Sequence, residues 1–190
     1  MGINSLQNYL SDTFKFFTSQ TSIAPLVIFR IIFGLMMFLG TLRFWCNGWI
    51  DTLYVKPIHF FNYYGFEWVK PLSELGMYMV FLLLLVASLG IALGFFYRLA
   101  SLLYFLLFTY VELIDITNYL NHYYFISLIA FLLCILPAHR SFSIDARRNP
   151  SLQLQTIPKI YILILKFQIG VVYFFAGIAK INYDWLFQAM

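Results

Sequence analysis

The chain has 190 residues, 62% of them hydrophobic and 11% charged, with a formal net charge of +4. Soluble globular domains are nearer half apolar and a quarter charged, so the composition excludes an ordinary soluble fold and describes an integral membrane protein. No basic cluster has nucleic-acid spacing, which excludes a DNA or RNA partner.

The first 20 residues contain Asp12 and no continuous apolar core, so no cleavable signal peptide is read and the first span acts as an uncleaved insertion signal. Ile3, Leu6, Leu10, Phe14 and Phe17 recur at helical spacing, with Asn4, Gln7, Asn8, Ser11 and Asp12 mostly elsewhere. This spacing predicts an interfacial amphipathic helix within 1–20. A frayed polar tail is the alternative for so short a segment.

Apolar stretches of about 20 residues can cross a bilayer as helices. They predict five spans, over 23–45, 75–95, 98–115, 119–137 and 160–179. The expected fold is an all-α, polytopic transmembrane bundle, one domain over 1–190. The 46–74 loop is rich in aromatics: Trp49, Tyr54, Phe60, Phe61, Tyr63, Tyr64, Phe66 and Trp68. Such residues form interfacial belts; some could instead line the mouth of a ligand pocket. Pro57, Gly65 and Pro71 fix turns there. Gly90 with Gly94, and Gly170 with Gly177, read as close-packing positions between helices.

The segment after the fourth span holds Arg140, Arg147, Arg148 and Lys159 against Asp145, and the positive-inside rule makes it cytoplasmic. Alternation then puts the N-terminus and Arg98 inside. The aromatic loop with Asp51, Glu67 and Glu74 falls outside, as do Asp115, Lys180 and Asp184.

Three candidate groups therefore share the outer depth: Lys180, His122, and the series Glu112, Asp115, Asn118, Asn121. If the segment is helical, residues 115, 118, 119 and 122 lie on one face. Each candidate has a plainer reading. Lys180 can snorkel to the interface, His122 can be a helix-start residue, and Asp115 can cap a helix or pair with a lysine. Arg30 and Lys166 lie roughly 10 Å inside their spans, where each can snorkel, meet an acid or meet a lipid head group. Cys46 and Cys134 fall at opposite ends of the predicted spans and are not expected to pair. His59, His122 and His139 are dispersed, so no metal site is expected. The sequence has no P-loop, no dinucleotide fingerprint and no HExxH motif.

The stretch from Phe167 to Trp185 resembles the corresponding segment of vitamin K-dependent γ-glutamyl carboxylases and their bacterial relatives, the HTTM-domain proteins. The resemblance rests on Phe167-Gln168-Ile169, Val172-Tyr173-Phe174, Ala176-Gly177, Lys180 and Asp184-Trp185. Three further stretches fit in the same order: Phe29-Arg30 with Phe33-Gly34, Gly94 with Tyr97-Arg98, and Asp115 followed by Asn121-His122 and Tyr124. The run Tyr63-Tyr64-Gly65-Phe66-Glu67-Trp68 is similar to bacterial members, which implies a bacterial plasma membrane.

The resemblance implies a carboxylase that uses reduced vitamin K or a menaquinol-type hydroquinone, with O2 and CO2 as co-substrates. Oxygenation of the hydroquinone to the epoxide yields a strong base. That base takes a γ-proton from a peptidyl glutamate, and the carbanion adds CO2. Lys180 matches the family's proposed hydroquinone base, and His122 the residue assigned to stabilising charge. Asn121 stands beside it, with Asp115, Tyr124 and Tyr173 as further quinone-site candidates. A lysine base near neutral pH needs burial to depress its pKa and no direct carboxylate contact.

The family's vertebrate pattern has two consecutive lysines where this chain has Ala179-Lys180. Its members continue beyond the point matching Met190, so the chain is expected to be a truncated form. Two other readings are a non-catalytic quinone- or lipid-binding protein of the same fold and a small transporter. The transporter reading needs ionisable residues near the midplane.

Overall fold

A computed structural model describes residues 12–181. They form two compact units, one over 23–155 and one made of 12–22 with 156–181.

The larger unit is helical: α1 (Ala24–Cys46), α2 (Glu74–Leu93), α3 (Tyr97–Ile114), α4 (Asn121–Ile135) and the short α5 (Ile144–Arg148). α1 packs on α2, α2 on α3 and α3 on α4, as short connections between bundle helices favour. Pro25 stands in the first turn of α1, where its missing N–H costs nothing. The Ser73 hydroxyl accepts from Gly76 N–H and starts α2. The core runs through Leu26, Met77, Leu84, Ile91, Tyr104, Ile129 and Leu133, all buried. On α1 the exposed face carries Ile28, Ile32, Leu35 and Leu39 at helical spacing. A helix that is apolar on its outer face is one that meets lipid.

Four helices of the described residues, α1, α2, α3 and Ile160–Ala179, are long and apolar enough to cross a membrane. The fifth expected span, 119–137, is shorter: α4 covers only Asn121–Ile135. Both ends have local causes. The Asp115 carboxylate accepts from Thr117 N–H at 2.9 Å and Thr117 Oγ1 at 2.8 Å, closing a 3-10 turn over Ile116–Asn118. Leu120 is then extended. At the other end Pro137 drives Leu136 into extended backbone. Residues 115, 118, 119 and 122 therefore do not share the face that a continuous helix would give them.

One end of this unit collects the basic residues and is tightly interlocked. Arg30 on α1 is fully buried. Its guanidinium donates to Ile91 O at 3.2 Å and to Phe142 O at 2.6 Å, so Arg30 neither snorkels nor reaches a head group. Gly94 ends α2 in the left-handed region, φ 62°. A Cβ there would also strike the Arg30 guanidinium and Ser143 Cβ. Gly94 thus serves as a helix stop rather than as half of a helix-packing motif. A Cβ at Gly90 would meet Ala100 Cβ at 2.9 Å, so Gly90 does allow α2 and α3 to approach closely. Among the described residues nothing lies within 4 Å of a Cβ placed at Gly170 or Gly177.

The Asp145 carboxylate accepts from Phe96 N–H at 3.0 Å and Tyr97 N–H at 2.9 Å, capping α3 with a negative charge where the helix dipole favours one. Phe96 and Phe142 hold positive φ, 42° and 45°. That is a strained region for aromatic side chains, and it persists only where surrounding bonds over-determine it.

The second unit carries a helical stretch over 12–18; residues 1–11 of the expected amphipathic helix lie outside the described residues. Strand β1 (Gln20–Ser22) pairs antiparallel with β2 (Thr156–Pro158), Thr21 opposite Ile157. Lys159 N–H donates to Ser19 O at 2.9 Å, and Lys159 Nζ lies 4.0 Å from the Phe16 ring centroid. The helix α6 (Ile160–Ala179) follows. Lys166 on α6 is exposed and borders an apolar hollow with Phe16 and Phe17.

Candidate functional site

At the end of the larger unit opposite Arg30, α1 to α4 and the aromatic loop enclose a cavity of about 190 Å³. Aromatic rings form its walls. Phe44 stacks on Phe81, centroids 5.0 Å apart and planes at 12°; Tyr104 stacks on Phe108 at 5.6 Å. Tyr123 stands edge-on to Phe108 at 6.0 Å. Tyr54, on a π-helical turn Asp51–Val55, closes one side at 6.2 Å from Phe44. Burial, with the nearby charge of Glu112 next, pushes the Tyr54 phenol above its ordinary pKa. It therefore stays a neutral hydrogen-bond donor.

Two charged side chains complete the lining, Arg43 and Glu112. The Arg43 guanidinium lies over the Trp49 ring at 5.5 Å from its centroid, a cation–π arrangement. Glu112 is half-buried, and among the described residues its carboxyl forms no hydrogen bond or ion pair. The chamber is thus apolar and aromatic with a few convergent polar groups, the usual character of a small-molecule site. Its volume lies below the ~300–1,000 Å³ of pockets that hold whole drug-sized ligands. It suits a planar ring system whose tail would lie elsewhere.

The aromatic loop divides between two surroundings. Trp49 and Tyr54 line the cavity, whereas Tyr64, Trp68 and Phe61 are exposed, as an interfacial belt requires. The loop is held down by polar bonds. Asn62 Nδ2 donates to Val69 O at 2.7 Å and Ile114 O at 3.3 Å. Ile116 N–H donates to Phe61 O at 2.8 Å. Tyr78 Oη donates to the Asp51 carboxylate at 2.9 Å.

The sequence-derived candidates are distributed as follows. Asp115 is buried, 8% exposed, and its carboxylate is occupied by the Thr117 cap. Asn121 and His122 are exposed in the first turn of α4, with the His122 ring 4.5 Å from Tyr123. Tyr124 is 58% exposed; the tyrosine in the cavity wall is its neighbour Tyr123. In the second unit, Tyr173 is 75% exposed, and Lys180 is exposed at the C-cap of α6. Sequence reasoning placed Glu112 at the right depth but overlooked Arg43, Tyr104 and Tyr123. The available signal was that Tyr104, Phe108, Val111 and Glu112 recur at helical spacing on one stripe of α3. Among the described residues no cluster of His, Cys, Asp or Glu could hold a metal ion.

No solved structure matches the chain. A family model described as the HTTM domain matches residues 18–190. With four membrane-length apolar helices among the described residues, and a match that runs through all four, the chain is an integral membrane protein and belongs to the HTTM domain family.

Proposed function

We propose that the chain is a vitamin K-dependent γ-carboxylase-like membrane protein whose aromatic cavity receives the ring of a reduced, menaquinol-type quinone. The cavity between α1 and α4 is the observation that carries this reading: stacked aromatic walls, an arginine, and a half-buried carboxyl without a partner among the described residues. A flat aromatic head group fits such walls, and its hydroxyls find Tyr54, Tyr123, Glu112 and Arg43 as hydrogen-bond partners. A bound hydroquinone, with O2, would supply the strong base that a peptidyl glutamate needs before it can take up CO2.

The family resemblance assigns the hydroquinone base to Lys180 and charge stabilisation to His122, with Asn121 beside it; His122 and Asn121 begin α4, the helix that carries the cavity residue Tyr123. Asp115 holds the turn that starts α4. The proposed setting is a bacterial plasma membrane with the basic end of the larger unit cytoplasmic and the cavity on the outer side; the separation of Arg140, Arg147 and Arg148 from Asp51, Glu67 and Asp115 supports it.

One observation favours the alternative of a quinone- or lipid-binding protein without turnover: Lys180 is exposed, whereas a lysine base requires burial. Two measurements separate the readings. Titration of the reconstituted protein with a menaquinol analogue is expected to quench Trp49 emission saturably, and Trp49→Phe to remove that component. Absence of any saturable quench overturns quinone binding itself. Hydroquinone epoxidation that vanishes in Lys180→Ala while the quench persists supports catalysis. Quenching without epoxide in the wild type supports the binding protein.

A further inference from the structure

A second concavity, of about 500 Å³, lies at the basic end of the larger unit, far along α3 from the aromatic cavity. Its walls come from the start of α3, from α5 and from the turn over Pro150–Leu152. We propose that this groove binds the head group of an anionic phospholipid from the leaflet at that end.

The charges are arranged for an anion. Arg98 and Arg148 line the groove together with one acid, Asp145. The Asp145 carboxylate is spent on the N–H groups of Phe96 and Tyr97. Arg148 has no ion-pair partner among the described residues. Its guanidinium is held over the rings of Phe96 and Phe95, 5.3 and 5.9 Å from their centroids, so it is positioned before any ligand arrives. Arg98 uses one terminal nitrogen to cap α4, donating to the carbonyls of Cys134 and Ile135. The rest of its fork remains for a phosphate oxygen.

The second, independent observation is His139. It lines the groove, is 8% exposed, and stacks on Tyr97 at 5.1 Å. Its Nδ1 is buried with no hydrogen-bond partner among the described residues. A buried ring nitrogen without a partner is costly, and a head group that opens the groove wall at His139 would give Nδ1 one.

Location selects a lipid over a soluble anion. The groove opens at the first turn of α3, a membrane-length helix. Leu99, Leu102 and Leu106 lie exposed in one stripe leading away from it, a path for an acyl chain. Basic recesses at helix ends on the cytoplasmic side are a known kind of anionic-lipid site.

The test uses the purified full chain in neutral detergent. Its thermal midpoint and lipid retention in native mass spectrometry are read with dioleoyl phosphatidylglycerol, with dioleoyl phosphatidylcholine and with inorganic phosphate. Phosphatidylglycerol alone is expected to be retained and to raise the midpoint. Arg148→Gln, which removes no hydrogen bond of that side chain, is expected to weaken retention about fivefold, the effect of one basic residue near a lipid surface. His139→Phe keeps the stack on Tyr97 and is expected to weaken retention as well. Lys70→Gln, an equal charge change on the exposed aromatic loop, is expected to leave it unchanged. Any of four results overturns the proposal: equal retention of phosphatidylcholine, an equal effect of inorganic phosphate alone, no loss in Arg148→Gln, or a matching loss in Lys70→Gln.

Discussion

Arg30 donates to the carbonyl of Phe142 at 2.6 Å, across 112 residues of sequence. The same guanidinium reaches Ile91 O, so one side chain ties α1 to the end of α2 and to the loop that leads into α5. This replaces the snorkelling or head-group contact that its position in an apolar span suggests. A buried charge is tolerable here because carbonyl dipoles, not lipid, surround it.

Arg30→Met is therefore expected to destabilise the protein. The Phe142 carbonyl loses its side-chain donor and Ile91 O keeps only the Gly94 N–H at 3.2 Å; hydrogen bonds to a charged group contribute about 1.5–3 kcal/mol each. Arg30→Lys is not expected to rescue fully, since an ammonium lacks the planar fork that spans both acceptors. The midpoint of thermal unfolding in detergent, followed by fluorescence-detected size exclusion, checks both.

Asp145→Ala is expected to cost about 1–2 kcal/mol, because it removes a charged cap from the first turn of α3. Asp145→Asn should recover part of that, keeping an acceptor while losing the charge. Amide exchange at Phe96 and Tyr97 gives the local readout, and it should rise in both variants, more in the alanine.

The pH dependence of stability should carry a contribution from His139. Burial holds its imidazole below the ordinary pKa. Arg98, Arg140 and Arg30 act in the same direction and Asp145 opposes them. The folded state then binds fewer protons than the unfolded chain. Stability is full above the unfolded pKa of about 6.5 and declines as pH falls through it toward the lower folded value. His139→Phe is expected to flatten the thermal midpoint between pH 7 and 5; an unchanged slope would assign the dependence to other groups.

Tyr123 and Tyr124 point to different surroundings on one helix turn. Tyr123→Ala is expected to weaken a bound menaquinol analogue about two- to tenfold, the worth of an aromatic contact. Tyr124→Ala, at an exposed position, is expected to change affinity by less than the Tyr123 variant. Titration of Trp49 emission in the two variants compares them directly.

Periodicity and charge sidedness already determine much of this protein. The apolar stretches place the helices over 24–46, 74–93, 97–114 and 160–179 within two residues of expectation, because a helix crossing lipid must satisfy its own backbone locally. The division of the larger unit into a basic and an aromatic end was equally legible. So was the run of exposed rings in the 46–74 loop. What tertiary structure alone decided depends on partners far away in the chain. Arg30 finds carbonyls 61 and 112 residues distant. Asp145 caps a helix 48 residues before it. Strands of three residues, too short for an alternating pattern, pair although residues 23–155 separate them in the sequence. The choice of Tyr123 over Tyr124 as cavity wall turns on where α4 begins, and the Asp115 cap and the extended Leu120 set that point. Sequence patterns report on neighbours within one or two turns. Closing the chain on itself selects which carbonyl, ring or charge each side chain meets.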